Sequence, residues 1–268
     1  MTKKLIVANW KMNPESLAEA EEILEFVNDY LESLAENKEL SLVFCPPFVF
    51  LEEASRILAT SHLEHDAFLG AQDISIEDKA ALTGEVSGPM LKRLGVRYVI
   101  IGHSERRWKL GESDTTVNKK LKSALRNELI PIVCIGERSR EGDFKGFLKD
   151  QIKNTFKELS ADEISKCIVA YEPVWAISTN VGAKPDTPAS ALESIRIIKD
   201  FLIGNWTRLP DGQELEIGNL PKVLYGGSVN SANTKDFLSQ EDIDGVLVGG
   251  ASIKKQEFVK ILDIASKI

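Results

Sequence analysis

Residues 98–135 read YVIIGHSERRWKLGESDTTVNKKLKSALRNELIPIVCI and contain the pattern that decides the fold. The β-branched apolar run Tyr98–Ile101 predicts a short buried strand, and Ile130–Ile135 predicts a second one. Between them, Asp114–Arg126 has its apolar residues at helical spacing and starts with an aspartate that suits a helix N-cap. A buried strand that is followed by a helix and then by another buried strand is typical of a parallel β-sheet.

The same unit recurs along the chain and predicts eight strand–helix pairs. Eight such units can close into a barrel that leaves no sheet edge exposed, and this fold typically uses about 250 residues as one domain. We therefore predict an α/β protein with a single (β/α)8-barrel domain over residues 1–268, although periodicity alone leaves a doubly wound open sheet as the alternative. The predicted strands are 5–8, 41–45, 67–70, 98–101, 130–135, 167–171, 222–225 and 245–248, and the predicted helices are 15–37, 48–59, 86–94, 114–126, 144–159, 185–203, 231–238 and 254–268.

Residues 205–217, NWTRLPDGQELEI, do not fit this alternation. Pro210-Asp211-Gly212 lies between two extended runs and predicts a turn. We therefore predict an extra surface β-hairpin between the sixth helix and the seventh strand. Helix-to-strand connections lie on the face of a barrel away from the chemistry, so a tolerated insertion is preferred over a binding role.

Charge and hydropathy disfavour several classes of protein. The chain has 33 basic and 41 acidic residues and a net charge of −8, whereas nucleic-acid-binding domains usually carry a basic surface. No apolar run approaches the roughly 18 residues of a membrane span, and the apolar run near the N-terminus is too short for a signal peptide. Three cysteines, Cys45, Cys134 and Cys167, each lie in or beside an apolar run. We expect them to be buried in a protein of a reducing compartment, the cytoplasm.

In a parallel barrel the chemistry lies at the carboxyl ends of the strands. Lys11 follows the first predicted strand, His103 the fourth and Glu172 the sixth, while Gly226-Gly227 and Gly249-Gly250 follow the seventh and eighth. Taken singly, each has an ordinary structural explanation: a solvated lysine, a buried histidine, a carboxylate in a structural network, and two tight turns.

Together these strand ends indicate a reaction. Backbone N–H groups of glycine turns after the last two strands suit a phosphate. A carboxylate can act as a general base, and the apolar run after Glu172 can desolvate it and raise its pKa toward the working pH. A neutral imidazole can donate a hydrogen bond to a substrate oxygen as charge develops there. The combination indicates proton abstraction next to a carbonyl.

A metal site is not expected. His62 and His65 are three residues apart and flanked by acidic residues, but a solvated helix end explains them better than a metal site does. No other histidine or cysteine cluster has the spacing of metal ligands.

Longer motifs around the strand ends carry a resemblance to a known family. The motifs are ANWKMN (8–13), GAQD (70–73), TGEVS (83–87), IIGHSERR (100–107), CIGE (134–137), AYEPVWAI (170–177), YGGSV (225–229) and VGGAS (248–252). They occur in the order and near the spacing of one family, and the chain resembles the triosephosphate isomerases. The resemblance implies a cofactor-independent (β/α)8-barrel enzyme of glycolysis and gluconeogenesis, which interconverts dihydroxyacetone phosphate and D-glyceraldehyde 3-phosphate through an enediol(ate).

The resemblance also implies a role for each catalytic residue. Glu172 would be the base that moves a proton between C1 and C2, and His103 would be the neutral electrophile at the substrate oxygens. The family is itself the standard example of this pairing of a glutamate with a neutral histidine. Asn9 and Lys11 would bind the substrate, and Glu105 would support Lys11.

For the phosphate, the resemblance implies backbone N–H groups of Ser228, Gly249, Gly250 and Ser178. Ser178 belongs to a segment over residues 173–183 that would act as a lid, and closure of this loop to exclude water is again a standard example from this family.

Two further features are implied. Tyr225 and Ser228 would hold the closed lid. The Thr83-Gly84-Glu85 loop resembles the family's interdigitating dimer loop, so the chain would form a homodimer in which Thr83 approaches the partner's active site.

The lid departs from the family pattern. The family usually has Ile-Gly-Thr-Gly where this chain has Ile177-Ser178-Thr179-Asn180. We expect an active enzyme with altered lid kinetics or altered product release. Two alternatives stay open: a barrel enzyme that acts on another phosphorylated metabolite, and a non-catalytic barrel that binds a phosphosugar or serves as a scaffold.

Overall fold

The computed structural model describes residues 3–33, 40–60, 67–177, 183–206 and 220–268. Each strand pairs in parallel with its successor, and the last pairs with the first, so the sheet is a closed barrel and not an open doubly wound sheet. The predicted (β/α)8 architecture is confirmed. The strands are β1 Lys4–Asn9, β2 Leu40–Cys45, β3 Ala67–Ala71, β4 Tyr98–Ile101, β5 Ile130–Ile135, β6 Ile168–Tyr171, β7 Lys222–Tyr225 and β8 Gly245–Val248.

Helices pack outside the barrel. In the described ranges they are α1 Leu17–Ser33, α2 Leu51–Thr60, α3 Gly88–Arg93, α4 Ser104–Lys109, α5 Asp114–Arg126, α6 Phe144–Thr155, α7 Ala161–Ser165, α8 Pro188–Trp206, α9 Thr234–Leu238 and α10 Lys255–Ala265, with short 3-10 turns at Phe48–Phe50 and Val174–Ala176.

Three details of the sequence prediction were wrong. The helix α4 was not predicted, and the helix predicted over 144–159 ends at Thr155 and is followed by the separate helix α7. The N-cap of α5 is Ser113 and not Asp114, because the Ser113 hydroxyl accepts the hydrogen bond from the Thr116 N–H.

The predicted hairpin cannot begin at Asn205, because α8 extends through Trp206. The remainder of that prediction, residues 207–217, lies outside the described residues.

The strands place alternate side chains on opposite sides of the barrel wall. In β1, Leu5 and Val7 belong to the inner cluster, whereas Ile6 and Ala8 pack with the helices outside. By the same alternation the side chain of Asn9, the last residue of β1, points into the barrel at its carboxyl end. The fold itself therefore directs the side chain of Asn9 toward the site.

Closure of the barrel depends on a glycine. Gly245 at the start of β8 lies so close to β1 that a Cβ atom there would overlap the Leu5 carbonyl oxygen. A side chain would force the two strands apart.

The three cysteines are buried and free, as predicted. In the part of the chain that is described, the helices are too short or too polar to span a bilayer.

Candidate active site

The carboxyl ends of the strands converge on one cavity of about 520 Å³. β1, β4 and β6 contribute polar side chains to its lining, and the ends of β7 and β8 contribute glycine turns together with Val229 and Leu247. Glu105 lies behind the lining and contacts Lys11, and Ser178 lies outside the described residues. The predicted site residues that line the cavity are Asn9, Lys11, His103, Glu172, Ser228, Gly249 and Gly250.

Glu172 and His103 form a direct pair. Glu172 Oε1 lies 2.9 Å from His103 Nε2, and Glu172 Oε2 accepts a hydrogen bond of 2.7 Å from the backbone N–H of Ser104, the first residue of α4. Only 2% of Glu172 and 7% of His103 is exposed. The turn after β4 therefore supplies a donor to each carboxylate oxygen.

The hydrogen bonds of His103 identify its tautomer. The Glu105 backbone N–H donates to His103 Nδ1 at 3.2 Å, so Nδ1 carries a lone pair. The single proton of the neutral ring then lies on Nε2, which points at Glu172. A ring held in this form presents an N–H donor to the cavity and keeps its other nitrogen engaged with the start of α4.

The direction of the Glu172 pKa shift corrects one expectation from the sequence. Burial raises the pKa of Glu172, as the apolar run after it suggested. The charge of His103 when its ring is protonated, the hydrogen bonds from His103 and the Ser104 N–H, and the charge of Lys11 together outweigh burial and hold the pKa below its usual range. In this arrangement Glu172 is an ionised carboxylate.

Gly136 allows Glu172 to reach this position. The Glu172 N–H donates to the Ile135 carbonyl, and a Cβ atom on Gly136 would overlap the Glu172 carbonyl oxygen. The Gly136 N–H is itself held by Gln151 Oε1 at 2.8 Å. The backbone that carries Glu172 therefore rests directly on a glycine.

Lys11 adopts a left-handed backbone conformation with φ of 57°. For a residue other than glycine this conformation costs about 1–2 kcal/mol, and such strain is found mainly at functional positions. The Lys11 N–H donates to Asn9 Oδ1 at 3.1 Å, and Lys11 Nζ lies 2.7 Å from Glu105 Oε1. The strained residue thus directs an ammonium group into the cavity and keeps a carboxylate beside it.

Gln72 supports Lys11 but was given no role in the sequence analysis. Its Nε2 donates to the carbonyl oxygens of Lys11 and Cys45, each at 2.8 Å, and so ties the ends of β1 and β2 together. Gln72 directly follows β3, so applying the rule of strand ends to the third strand as well would have identified it.

Arg107 holds the turn that carries His103. Its guanidinium is buried, donates to the Gly102 carbonyl at 2.8 Å and pairs with Asp114. Gly102 has a φ of 66°, which glycine adopts without strain. The position of His103 therefore depends on a buried arginine that does not line the cavity.

The glycine turns provide free hydrogen-bond donors. The Gly226 N–H donates to the Tyr171 carbonyl, and the Asn233 amide holds the Ser228 carbonyl oxygen. Within the described ranges, the N–H groups of Ser228, Gly249 and Gly250 donate to no protein acceptor. Free backbone N–H groups that line a cavity can bind an anion.

The structure brings no metal ligands together in the described ranges, where no group of three or more histidine, cysteine or acidic side chains could hold an ion. His62 and His65 lie outside the described residues.

A closed parallel barrel with a buried glutamate–histidine pair beside a lysine and free N–H groups defines a (β/α)8-barrel enzyme for small anionic substrates. The family model of triosephosphate isomerase matches residues 4–265. The triosephosphate isomerase of Dictyoglomus turgidum is 40% identical to this chain and that of Alkaliphilus metalliredigens is 39% identical, and each alignment covers 98% of this chain and 99% or more of the relative. The chain therefore belongs to the triosephosphate isomerase family of aldose–ketose isomerases.

Proposed function

We propose that this protein interconverts dihydroxyacetone phosphate and D-glyceraldehyde 3-phosphate through an enediol(ate), as a step of glycolysis and gluconeogenesis. The observation that carries the proposal is the buried Glu172 carboxylate, 2.9 Å from His103 Nε2, in one cavity with free backbone N–H groups.

The phosphate group binds at the ends of β7 and β8. The free N–H groups of Ser228, Gly249 and Gly250 donate to its oxygens, and Lys11 supplies positive charge from the side of β1. A Cβ atom added to Gly249 would lie 3.2 Å from Lys11 Cε, so the lysine chain passes directly beside this turn. Ser178 is the fourth predicted donor, from the lid.

Proton transfer requires the Glu172–His103 pair to separate around the substrate. Glu172 takes a proton from the carbon next to the carbonyl, and the C–H electron pair forms the C=C bond of the enediolate. The His103 Nε2–H donates to the oxygen that gains charge and moves a proton between the two oxygens. The glutamic acid then returns its proton to the neighbouring carbon, so no external oxidant, reductant or cofactor enters the balance.

The assembly is proposed to be a homodimer formed through the Thr83-Gly84-Glu85 loop. This loop is exposed. Beside it, Leu82 and Met90 line one surface groove, and Leu82 is 52% and Met90 56% exposed. Apolar side chains exposed beside a projecting loop support an interface. Sedimentation velocity at micromolar concentration would show a single species of twice the chain mass, and a purely monomeric species would contradict the dimer. The free, buried cysteines support the predicted cytoplasmic location.

The test is a coupled isomerase assay on the wild type beside Glu172→Asp. The shorter side chain withdraws the carboxylate by about 1 Å or more, so kcat should fall by about 10²-fold or more. The exposed Glu141→Asp is the matched control and should keep full activity.

Each alternative function from the sequence analysis predicts a different experimental result. An inactive wild type that binds inorganic phosphate would favour a non-catalytic barrel. A wild type that isomerises a different phosphorylated sugar would favour another barrel enzyme. Equal rates for wild type and Glu172→Asp would remove Glu172 from its role.

A further inference from the structure

The turn that follows β7 is held at two points, and the free Ser228 N–H lies between them. On one side the Gly226 N–H donates to the Tyr171 carbonyl at 2.7 Å. On the other side the Ser228 carbonyl oxygen accepts a hydrogen bond of 2.8 Å from Asn233 Nδ2. Gly226-Gly227 would otherwise leave this backbone many conformations, because glycine restricts φ and ψ so little. The direction of the Ser228 N–H therefore depends on both contacts.

The Asn233 side chain bridges the backbone on either side of Val229. Its Oδ1 accepts the Asn230 N–H at 2.9 Å, while its Nδ2 donates to the Ser228 carbonyl. An amide group suits this place because one neighbour is a donor and the other is an acceptor. Neither a carboxylate nor an apolar side chain can make both hydrogen bonds. A single side chain thus fixes the segment that carries the free Ser228 N–H.

Asn233 is itself held in position just before α9. Asn230 Oδ1 accepts the Asn233 N–H at 3.2 Å, and the buried Thr234 hydroxyl donates to the Asn230 carbonyl at 2.6 Å. From α10, Glu257 accepts the Ser231 N–H at 2.7 Å. The segment between Asn230 and α9 is therefore closed by its own hydrogen bonds and anchored to a second helix, so it can serve as a fixed support.

We propose that Asn233 is a positioning residue for phosphate binding: its amide holds the Ser228 carbonyl and the Asn230 N–H, and this keeps the Ser228 N–H directed into the cavity before the phosphate arrives. Among the described residues, Asn230 lines the cavity and Asn233 does not, so Asn233 acts through the backbone. A donor that is already oriented costs less conformational entropy on binding. The assignment rests on the proposed function, since it names a support for the same phosphate site.

The first experiment measures inorganic phosphate binding by calorimetric titration, together with KM and kcat, for wild type and Asn233→Ala. The alanine removes both hydrogen bonds, so the phosphate Kd and the KM should rise by about threefold to tenfold. Because the phosphate is held equally in the ground state and the transition state, kcat should change by less than about twofold. A variant that was merely less stable would not show this split between KM and kcat.

The second experiment uses Asn233→Asp, whose chemistry at this position changes with pH. The ionised carboxylate can accept the Asn230 N–H but faces the Ser228 carbonyl oxygen without a donor, so binding should be weaker than in Asn233→Ala at about pH 8. The protonated carboxyl has an O–H donor and an acceptor, as the amide does. The ratio of variant to wild-type Kd for inorganic sulfate, whose charge is constant in this range, should therefore fall by about threefold or more between about pH 8 and about pH 5.

Asn118 provides the matched control. Its Nδ2 donates to the Thr155 and Lys157 carbonyl oxygens, each at 2.9 Å, and it does not line the cavity. Asn118→Asp also places a carboxylate against backbone carbonyl oxygens, but its Kd for phosphate should match the wild type and its Kd ratio for sulfate should not vary with pH. Thermal unfolding of every variant separates loss of stability from loss of binding.

Three results would overturn the assignment: an unchanged phosphate Kd in Asn233→Ala, a sulfate Kd ratio for Asn233→Asp that does not change with pH, or a wild type that does not bind phosphate. If Asn233→Ala does not fold, the pH series of Asn233→Asp decides alone, since that variant keeps the contact with the Asn230 N–H. A wild type that binds phosphate but does not isomerise would remove the proposed function and leave the role of Asn233 intact.

Discussion

At the ends of β4 and β6 the cavity is lined by two buried, hydrogen-bonded side chains, whereas at the ends of β7 and β8 glycine turns bring free backbone N–H groups to it. His103 and Glu172 each have defined hydrogen-bond partners and almost no exposure. The Gly249-Gly250 turn offers N–H groups without protein partners. The chemistry of the first region depends on which side chains are present, whereas anion binding by the second depends on the backbone conformation. Substitutions that act only through the backbone can therefore test whether this contrast is real.

Gly136→Ala should have the largest effect of these. The new Cβ would overlap the Glu172 carbonyl oxygen and displace the backbone that carries the base. Since a displacement of about 1 Å can cost about 10²-fold in rate, kcat should fall by about that factor, with a marked loss of thermal stability. Coupled assays and thermal unfolding measure both quantities. Gly204→Ala, which has open space around it in α8, is the control and should retain kcat. Normal kcat in Gly136→Ala would show that the base tolerates movement.

Gly249→Ala should have a moderate effect, confined to binding. Its Cβ would lie 3.2 Å from Lys11 Cε, so the flexible lysine chain must move by a few tenths of an ångström. KM should rise severalfold while kcat stays within about twofold, since a shifted ammonium group weakens ground-state and transition-state binding of the phosphate alike. Steady-state kinetics give both values. A fall in kcat with KM unchanged would place Lys11 on the proton-transfer side of the site instead.

The pH dependence of stability should show the smallest effect. The pKa of Glu172 is held below its ordinary value of 4.5, so the carboxylate stabilises the folded state above that pH and loses this contribution as pH falls through its folded-state pKa. The difference in unfolding free energy between wild type and Glu172→Gln should be constant above about pH 6 and shrink in acid. Urea unfolding at fixed protein concentration measures it. A difference that grows as pH falls would mean that burial dominates the pKa.

The barrel was predictable because its strands are short apolar runs with clear boundaries. The bounds of β4, β5, β7 and β8 match the sequence prediction. The short helix α4 was missed because Ser104–Lys109 carries four charged residues and offers little apolar periodicity. Local pattern therefore identified the architecture and overlooked the helix whose first N–H contacts Glu172.

The meeting of Lys11, His103 and Glu172 at one site was predictable from the sequence, but the direction of the Glu172 pKa shift was not. The rule of strand ends brings Lys11, His103 and Glu172 to one edge of the sheet, and the structure places all three around one cavity. The apolar run after Glu172 indicated burial correctly, but the donors that lower its pKa come from a turn about 70 positions earlier in the chain, at His103 and Ser104.

The left-handed backbone of Lys11 links thermal stability and catalytic turnover at one residue. Lys11→Gly would relieve the backbone strain and remove the ammonium group in the same step. In a screen for survival at high temperature, relief of the strain favours this change and loss of the Lys11–Glu105 ion pair opposes it, while a screen for turnover would discard it. Any campaign to make this enzyme more robust must therefore keep position 11 out of the randomised set.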